Sequence, residues 1–265
     1  MIIMARKRKE IVLPEKGMSR DKILDMMDEI QDQGDVKWKQ GRAFGYVYHA
    51  DDEHYEFLKK AHNKFFSENA LSPLAFPSLK KFEAEVVSMA VDLLGGDRRC
   101  FGSMTSGGTE SNMMALKTYR EWAKDKHPEI IEPEVVMPVT AHPSLNKAAH
   151  YFGIKAVMVP IGSDFRADVK KMEAAITDNT IAMVGSAIEY SRGIVDPIPE
   201  LAAIAKERGI GFHTDSCLGG YMLPFLRELG HDIPDFDLSV PGVTSISADL
   251  HKYGFTAKGA STILY

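Results

Sequence analysis

Apolar residues along this chain follow two different periods, and the change between them divides it. Residues 1–18 show no periodicity and read as an arm. Behind Ser19, a residue type that caps helices well, Ile23, Met26, Met27 and Ile30 fall at i, i+3, i+4 and i+7, the spacing of a helix face. Residues 31–45 are polar and punctuated by glycine, so they read as loop. Further helices are predicted over His54–Phe66 and Ser78–Leu94, the latter with Leu79, Phe82, Val86, Met89/Ala90 and Leu93 on one face and Gly95-Gly96 as its stop. From there short runs apolar on both faces alternate with helical stretches. The runs are Glu134–Val139, Lys155–Val159, Ile181–Ala187, Ile210–Asp215, Thr244–Ala248 and Ala260–Tyr265. Between most of them lie helical patterns at Glu110–Lys124, Pro143–Gly153, Asp168–Ile176, Pro199–Arg208 and Leu218–Leu229.

Strands this short and this apolar, separated by helices, predict an α/β fold with a mostly parallel sheet covered on both faces. The expected division is an N-terminal arm and helix over 1–60 and one large domain over 61–265. No internal repeat or low-complexity segment interrupts it. A chain that stops in an apolar strand is expected to continue beyond it.

Composition narrows the class. The 265 residues are 45% apolar and 26% charged, as in an ordinary soluble globular chain, and long enough to need no staple of metal or disulfide. A net charge of −5 gives no general basic field for nucleic acid. The short basic run Arg6–Lys9 ends at Glu10 and reads as part of a solvated arm. Two distant cysteines, Cys100 and Cys217, rule out a disulfide framework and point to a reducing, cytoplasmic compartment. No apolar run reaches the ~18 residues of a membrane span. Asp51-Asp52-Glu53-His54 is rich in metal-ligand types, but it stands at a predicted helix start where acidic residues favour the dipole, so no metal site is expected.

In such a sheet ligands bind beyond the C-terminal strand ends, and four constellations fall there. Thr105-Ser106-Gly107-Gly108-Thr109-Glu110-Ser111 precedes a strong helix and could cradle an anion; alone it reads as a capped glycine turn, and it has neither Walker A nor dinucleotide spacing. Ala141-His142-Pro143 sets a ring at a helix start, where it would stack on a flat ligand or serve as a cap. His213-Thr214-Asp215 ends a strand with a carboxylate that could hold a proton on a ligand nitrogen or cap the next helix. Ser245–Gly254 includes His251 and Lys252 on a strand-end turn, an awkward place for a merely solvated charge. A half-buried lysine loses part of its preference for the charged form and becomes a usable amine nucleophile.

Anion cradle, stacking ring, carboxylate and amine, in that chain order, are the parts that hold pyridoxal phosphate. The order resembles the fold-type I pyridoxal-phosphate enzymes, in their group II decarboxylase-like branch. Within it, Gly242–Phe255 with Lys258-Gly259 looks like the sphingosine-1-phosphate lyases. The likeness extends over Thr105–Ser111, His142 with Asn146-Lys147-Ala148-Ala149, Tyr151-Phe152-Gly153, His213–Gly220, Gly45-Tyr46-Val47-Tyr48 and Phe82-Glu83-Ala84-Glu85, about residues 40–265 in all.

By that resemblance Lys252 condenses with the cofactor aldehyde, Asp215 pairs with the pyridine nitrogen beside His213, and His142 stacks on the ring. Gly108 and Thr109 hold the cofactor phosphate, with Ser247 and His251 assisting. Tyr48 and Lys258 hold a substrate phosphate with Asn69 nearby, and Tyr190 stands as a candidate proton shuttle. The implied reaction is a retro-aldol cleavage of the C2–C3 bond of a phosphorylated sphingoid base, giving a long-chain aldehyde and phosphoethanolamine. A homodimer is implied, with the 45–75 region reaching the neighbouring site. Three departures qualify the likeness. Where the lyases carry Asn-Pro-Leu-His-Pro with a phosphate-binding histidine, this chain reads Asn69-Ala70-Leu71-Ser72-Pro73, and the serine of position 72 cannot carry positive charge. The membrane anchor of the eukaryotic lyases has no counterpart here, which suggests a bacterial or archaeal soluble form. The small C-terminal domain of the fold is not reached before Tyr265. The nearest rival is an amino-acid decarboxylase of the same branch, which would use the same lysine, carboxylate and histidine. A scaffold that merely keeps the fold would need none of the three.

Overall fold

The computed structural model describes residues 11–69 and 71–265, so the basic run Arg6–Lys9 lies outside the described residues. The chain divides into two compact units, Met1–Val47 and Tyr48–Tyr265. The first contains α1 (Arg20–Gly34), whose N-terminus is capped by the Ser19 side chain accepting from Lys22 N at 3.4 Å, followed by a single 3-10 turn, Trp38–Gln40. The helix thus continues into residues expected to be loop. Its predicted apolar face, Ile23, Met26, Met27 and Ile30, is exposed.

The second unit runs through α2 (Asp52–Lys64), α3 (Pro77–Leu93), β1 (Gly102–Thr105), α4 (Gly108–Lys126), β2 (Glu134–Pro138), α5 (Pro143–Phe152), β3 (Lys155–Val159), α6 (Val169–Ala174), β4 (Thr180–Glu189), β5 (Ile194–Val195), α7 (Ile198–Glu207), β6 (Gly211–Asp215), α8 (Leu223–Glu228), β7 (Ser245–Ala248) and β8 (Ser261–Leu264). The division at Val47/Tyr48, against the expected 60, leaves α2 whole in this unit. A physical tie keeps it there: His54 Nε2 donates to the carbonyl of Phe255 at 2.8 Å. The acidic cluster before it acts as a helix start, Asp51 accepting from His54 N at 2.7 Å.

Strand order is β1-β8-β7-β6-β4-β2-β3, with β5 paired to β4. The strands β3, β2, β4, β6 and β7 run parallel, while β8 is antiparallel to both of its neighbours. Residues alternate between two buried layers. Val136, Met183, Phe212 and Ile246 face one core with Ile198 and Leu201 of α7, whereas Val135, Met137, Ile181 and Val184 face the other with Leu116 of α4 and Leu145 of α5. Each such side chain contributes about 1.5–3 kcal/mol by leaving water, which is why both faces read as apolar.

Two strands escape the sequence pattern. The strand β1 reads Gly-Ser-Met-Thr with one large apolar residue, and β5 has two residues. The helix expected over Leu218–Leu229 is cut to Leu223–Glu228 because Gly219 and Gly220 form a turn wedged against the sheet. A Cβ on Gly219 would lie 2.4 Å from the Ala187 carbonyl oxygen, and one on Gly220 2.5 Å from the Ala248 Cβ. Among the described residues no helix is long and apolar enough to cross a membrane.

Candidate functional site

The pairing register sets Ser186 of β4, Asp215 of β6 and Ser247 of β7 abreast at the C-terminal ends of three parallel strands. A cavity of about 420 Å³ opens above them, lined by Gly107, Gly108, Thr109, His142, Tyr190, Asp215, His251 and Lys252 among others. The four constellations therefore converge on one place, the end of the sheet where ligands are expected.

At one side of the cavity Gly107-Gly108 opens the 19-residue α4. No side chain caps this helix, and its first-turn N–H groups have no intrahelical acceptors, so a positive, donor-rich end faces the cavity. Glu110 folds back and accepts from Ser106 N at 2.7 Å and Ser106 Oγ at 2.6 Å, which shapes the loop and lowers its own pKa. Position 108 admits only glycine: a Cβ there would lie 2.6 Å from Cys217 Sγ and 2.8 Å from Asp249 Oδ2.

Across the floor runs a buried hydrogen-bond network that the sequence reading did not anticipate. Asn112 of α4 donates through Nδ2 to Asp215 Oδ2 at 3.0 Å and to Ser144 Oγ at 2.9 Å. Its Oδ1 faces His213 Nε2 at 3.0 Å and accepts from Ser247 Oγ at 2.9 Å. Cys217 N donates to the other Asp215 oxygen at 3.1 Å. Burial works against the Asp215 charge, yet its neighbour His213 and the Cys217 donors outweigh it, so its pKa falls below the ordinary carboxylate value. Burial holds His213 neutral, with its pKa pushed down to about 4, and burial together with the nearby carboxylates raises the Cys217 thiol. The signal for Asn112 was legible: a polar residue in the inward stripe Asn112, Ala115/Leu116, Tyr119, Ala123 of a helix asks for buried partners.

Lys252 Nζ pairs with Asp249 Oδ2 at 2.9 Å. Here the expectation of a lysine with weakened charge is corrected. Burial does disfavour the ammonium, but the Asp249 carboxylate beside it, with Asp215, raises its pKa above the ordinary value. Asp249, 2% exposed, keeps Oδ1 buried and without a partner, as does Thr140 Oγ1 on the cavity wall. His251 Nδ1 accepts from Ala260 N at 3.1 Å and its Nε2 lies 3.7 Å from Asp249; burial lowers its pKa.

The remaining predicted residues separate into groups. His142 takes its place at the cap of α5, where Nδ1 accepts from Ser144 N at 3.2 Å, and the exposed Tyr190 ring stands edge-on to it at 5.8 Å. Ser247 is fully buried, its hydroxyl bonded to Asn112 and Cys217 on the cavity floor. Tyr48 and Lys258 come together, the ammonium 4.7 Å from the ring centroid. Asn69 and Ser72 are not brought to the cavity: their side chains accept from Leu71 N at 3.0 Å and Ala75 N at 3.4 Å within their own loop.

These features fit pyridoxal phosphate. A doubly charged phosphate suits the uncapped helix end at Gly108, a pyridine nitrogen suits an ionised buried carboxylate, and the orphaned oxygens of Asp249 and Thr140 offer polar contacts to a bound group. Residues 5–265 match the pyridoxal-dependent decarboxylase conserved domain. The chain is 46% identical to a sphingosine-1-phosphate lyase of Arabidopsis thaliana, over 98% of this chain and 48% of that protein, and 44% identical to one of Rattus norvegicus, over 96% and 44%. The solved structure of a sphingosine-1-phosphate lyase from Burkholderia pseudomallei superposes with a TM-score of 0.91 at 41% identity, covering 97% of this chain and 60% of that one. The chain spans about half the length of the curated relatives it matches. Family match, fold and cavity agree on pyridoxal phosphate as cofactor, and the chain belongs to the pyridoxal-dependent decarboxylase family.

Proposed function

We propose that this chain is the cofactor-binding part of an aldehyde-lyase that splits a phosphorylated sphingoid base between C2 and C3, releasing a long-chain aldehyde and phosphoethanolamine. The observation that carries the reading is the convergence of Lys252, Asp215 and His142 on one cavity, with the Tyr48–Lys258 pair nearby, in a chain more than 40% identical to sphingosine-1-phosphate lyases along nearly its whole length.

When bound, pyridoxal phosphate supplies an aldehyde for amines and a protonated ring that accepts the electron pair of the breaking bond. The protein's own residues do the rest. Gly108 and Thr109 offer backbone N–H groups to the phosphate, and His142 presents a ring face. Asp215 keeps an anionic oxygen where a ring proton must be held, since burial removes competing water. Lys252 brings the amine, and Asp249 keeps it protonated until it is needed. Tyr190, on the cavity wall, can hold or pass a proton at its hydroxyl, as can Lys252 at its amine. Tyr48, whose phenol stays protonated because burial raises its pKa, and Lys258 offer a hydrogen bond and a positive charge to a substrate phosphate. We further infer a cytoplasmic homodimer in which the 45–75 segment, with Asn69 and Ser72, serves the neighbouring copy's site. That would account for why those two side chains do not reach the cavity of their own chain.

The test uses the full-length protein loaded with pyridoxal phosphate, offered a phosphorylated sphingoid base beside a panel of amino acids, with products read by mass spectrometry. Aldehyde and phosphoethanolamine are expected. Carbon dioxide from an amino acid and no aldehyde would move the protein to the decarboxylase reading and remove the head-group roles of Tyr48 and Lys258.

A further inference from the structure

In the network beneath the cavity one side chain links both the Asp215 carboxylate and the His142 ring. Asn112 stands on the cavity floor, one turn into α4, and it bonds Asp215 and His213 directly and reaches His142 through Ser144. It is 1% exposed, and every one of its polar bonds is made inside the protein.

The orientation of its amide is fixed by chemistry. With Oδ1 turned towards Asp215, an acceptor would face an anion at 3.0 Å. Only the observed orientation presents a donor to the carboxylate. It then dictates the rest. His213 must carry its proton on Nε2, because Asn112 Oδ1 accepts there, which leaves Nδ1 to accept from Ser245 Oγ at 2.8 Å. Ser144 Oγ accepts from Asn112 and donates to His142 Nδ1 at 2.7 Å, the nitrogen that also accepts from Ser144 N. His142 is therefore a neutral ring with its proton on Nε2.

We propose that Asn112 is a positioning residue that fixes, in one network, the ionised Asp215 carboxylate that meets the pyridine nitrogen and the neutral His142 ring that lies against the cofactor plane. A cationic His142 would oppose a protonated pyridine ring, so keeping the histidine neutral and the carboxylate charged serves one end. This inference rests on the cofactor reading above and assigns a residue that the motifs do not. The titratable groups facing Asp215 are His213, His142 and the Cys217 thiol, with Lys252 and Asp249 across the cavity.

The test measures binding of pyridoxal 5′-phosphate to the full-length protein, together with the pH dependence of the bound cofactor's visible absorbance, for the wild type, Asn112→Leu and Asn112→Asp. Thermal unfolding without cofactor shows whether each variant folds. Losing a hydrogen bond to a buried carboxylate should weaken binding in Asn112→Leu by roughly 10- to 100-fold. The near-isosteric Asn112→Asp sets two carboxylates side by side, which must share a proton, so its absorbance profile should gain a titration step that the wild type lacks. A merely structural asparagine would give neither result. Ser144→Ala, which cuts only the link to His142, should weaken binding by about threefold, a lost neutral hydrogen bond, and it decides alone if both Asn112 variants fail to fold. Wild-type affinity and wild-type pH profile in folded variants would overturn the inference while leaving the cofactor reading intact. A wild type that takes up no cofactor would overturn both.

Discussion

Asp215 and Lys258 are both charged groups assigned to anchoring a ligand, yet they live in different surroundings. Asp215 ends a central parallel strand, is 6% exposed, and is held by Asn112, the Cys217 backbone and the buried histidine beside it. Lys258 sits on the loop between β7 and β8, exposed, with one bond to the His251 carbonyl at 3.3 Å and an aromatic face beneath it. The inner half of the site is set by sheet register and redundant hydrogen bonds. The outer half is set by a loop side chain with one hydrogen bond and one ring contact. A group that must control the charge of a buried ring needs desolvation and a fixed position, because only in a dry, rigid setting do electrostatic effects grow large. A group that meets a substrate phosphate arriving from water can afford solvent and movement.

The largest effect should come from the inner half. Lys252→Ala removes the amine and should cut aldehyde formation on the order of 10³-fold or more. After borohydride treatment, denaturation of the loaded variant should release all of the cofactor, whereas the wild type should retain it covalently. A variant that keeps near-normal turnover would end the division between a chemical inner half and a binding outer half.

Next in size is a stability effect specific to the buried network. The His213 pKa lies at about 4 in the folded protein, against ~6.5 for a free histidine. The depressed value means that its contribution is complete above pH ~6.5 and is lost as pH falls towards 4, because the unfolded chain takes a proton that the folded one refuses. The loss should approach about 3 kcal/mol. Urea unfolding midpoints between pH 7 and 4.5 should show this slope in the wild type and a flatter one in His213→Gln. Equal slopes would mean that the imidazole is not buried neutral.

The outer half should respond more weakly. Lys258→Ala is expected to raise KM for the phosphorylated sphingoid base by roughly tenfold and leave kcat within about twofold, the size of one charge-assisted contact in a half-open site. Tyr48→Phe should raise KM by a few-fold, a neutral hydrogen bond's worth. A fall in kcat larger than the rise in KM would place either residue at the reacting atoms and erase the contrast with Asp215.

Legibility in the sequence followed the same line. The parallel strands were readable because burial on both faces writes an apolar run, and β3 was placed at its own bounds, Lys155–Val159. The edge strand β1 was not, since Gly102 packs against the Ile263 carbonyl where a Cβ would come within 2.3 Å, and close approach selects glycine over apolar bulk. Lys252, Asp215 and His142 were readable because each follows a strand or opens a helix at a position where motif and topology coincide. Asn112 and Ser144 were passed over because they act through other side chains, and nothing in local sequence states which distant atoms a buried amide will meet. The pKa of Lys252 was misread for the same reason: its direction depends on Asp249 beside it and on Asp215 from a neighbouring strand.

The smallest expected effect is the sharpest test of the outer half. Ser72, in the loop between α2 and α3, stands where the lyases carry a phosphate-binding histidine. Its hydroxyl makes a single long bond, accepting from Ala75 N at 3.4 Å, so replacing it should disturb folding by less than about 0.5 kcal/mol. Ser72→His restores a group that can carry positive charge, with an ordinary pKa of about 6.5. If the 45–75 segment reaches the neighbouring copy's substrate phosphate, KM for the phosphorylated sphingoid base should fall by roughly two- to fivefold, more at pH 6 than at pH 8, the increment of a charged over a neutral donor in partial solvent. A KM unchanged at both pH values would show that residue 72 never meets the head group. The segment would then be a surface loop, and recognition of the phosphate would rest on Tyr48 and Lys258 alone.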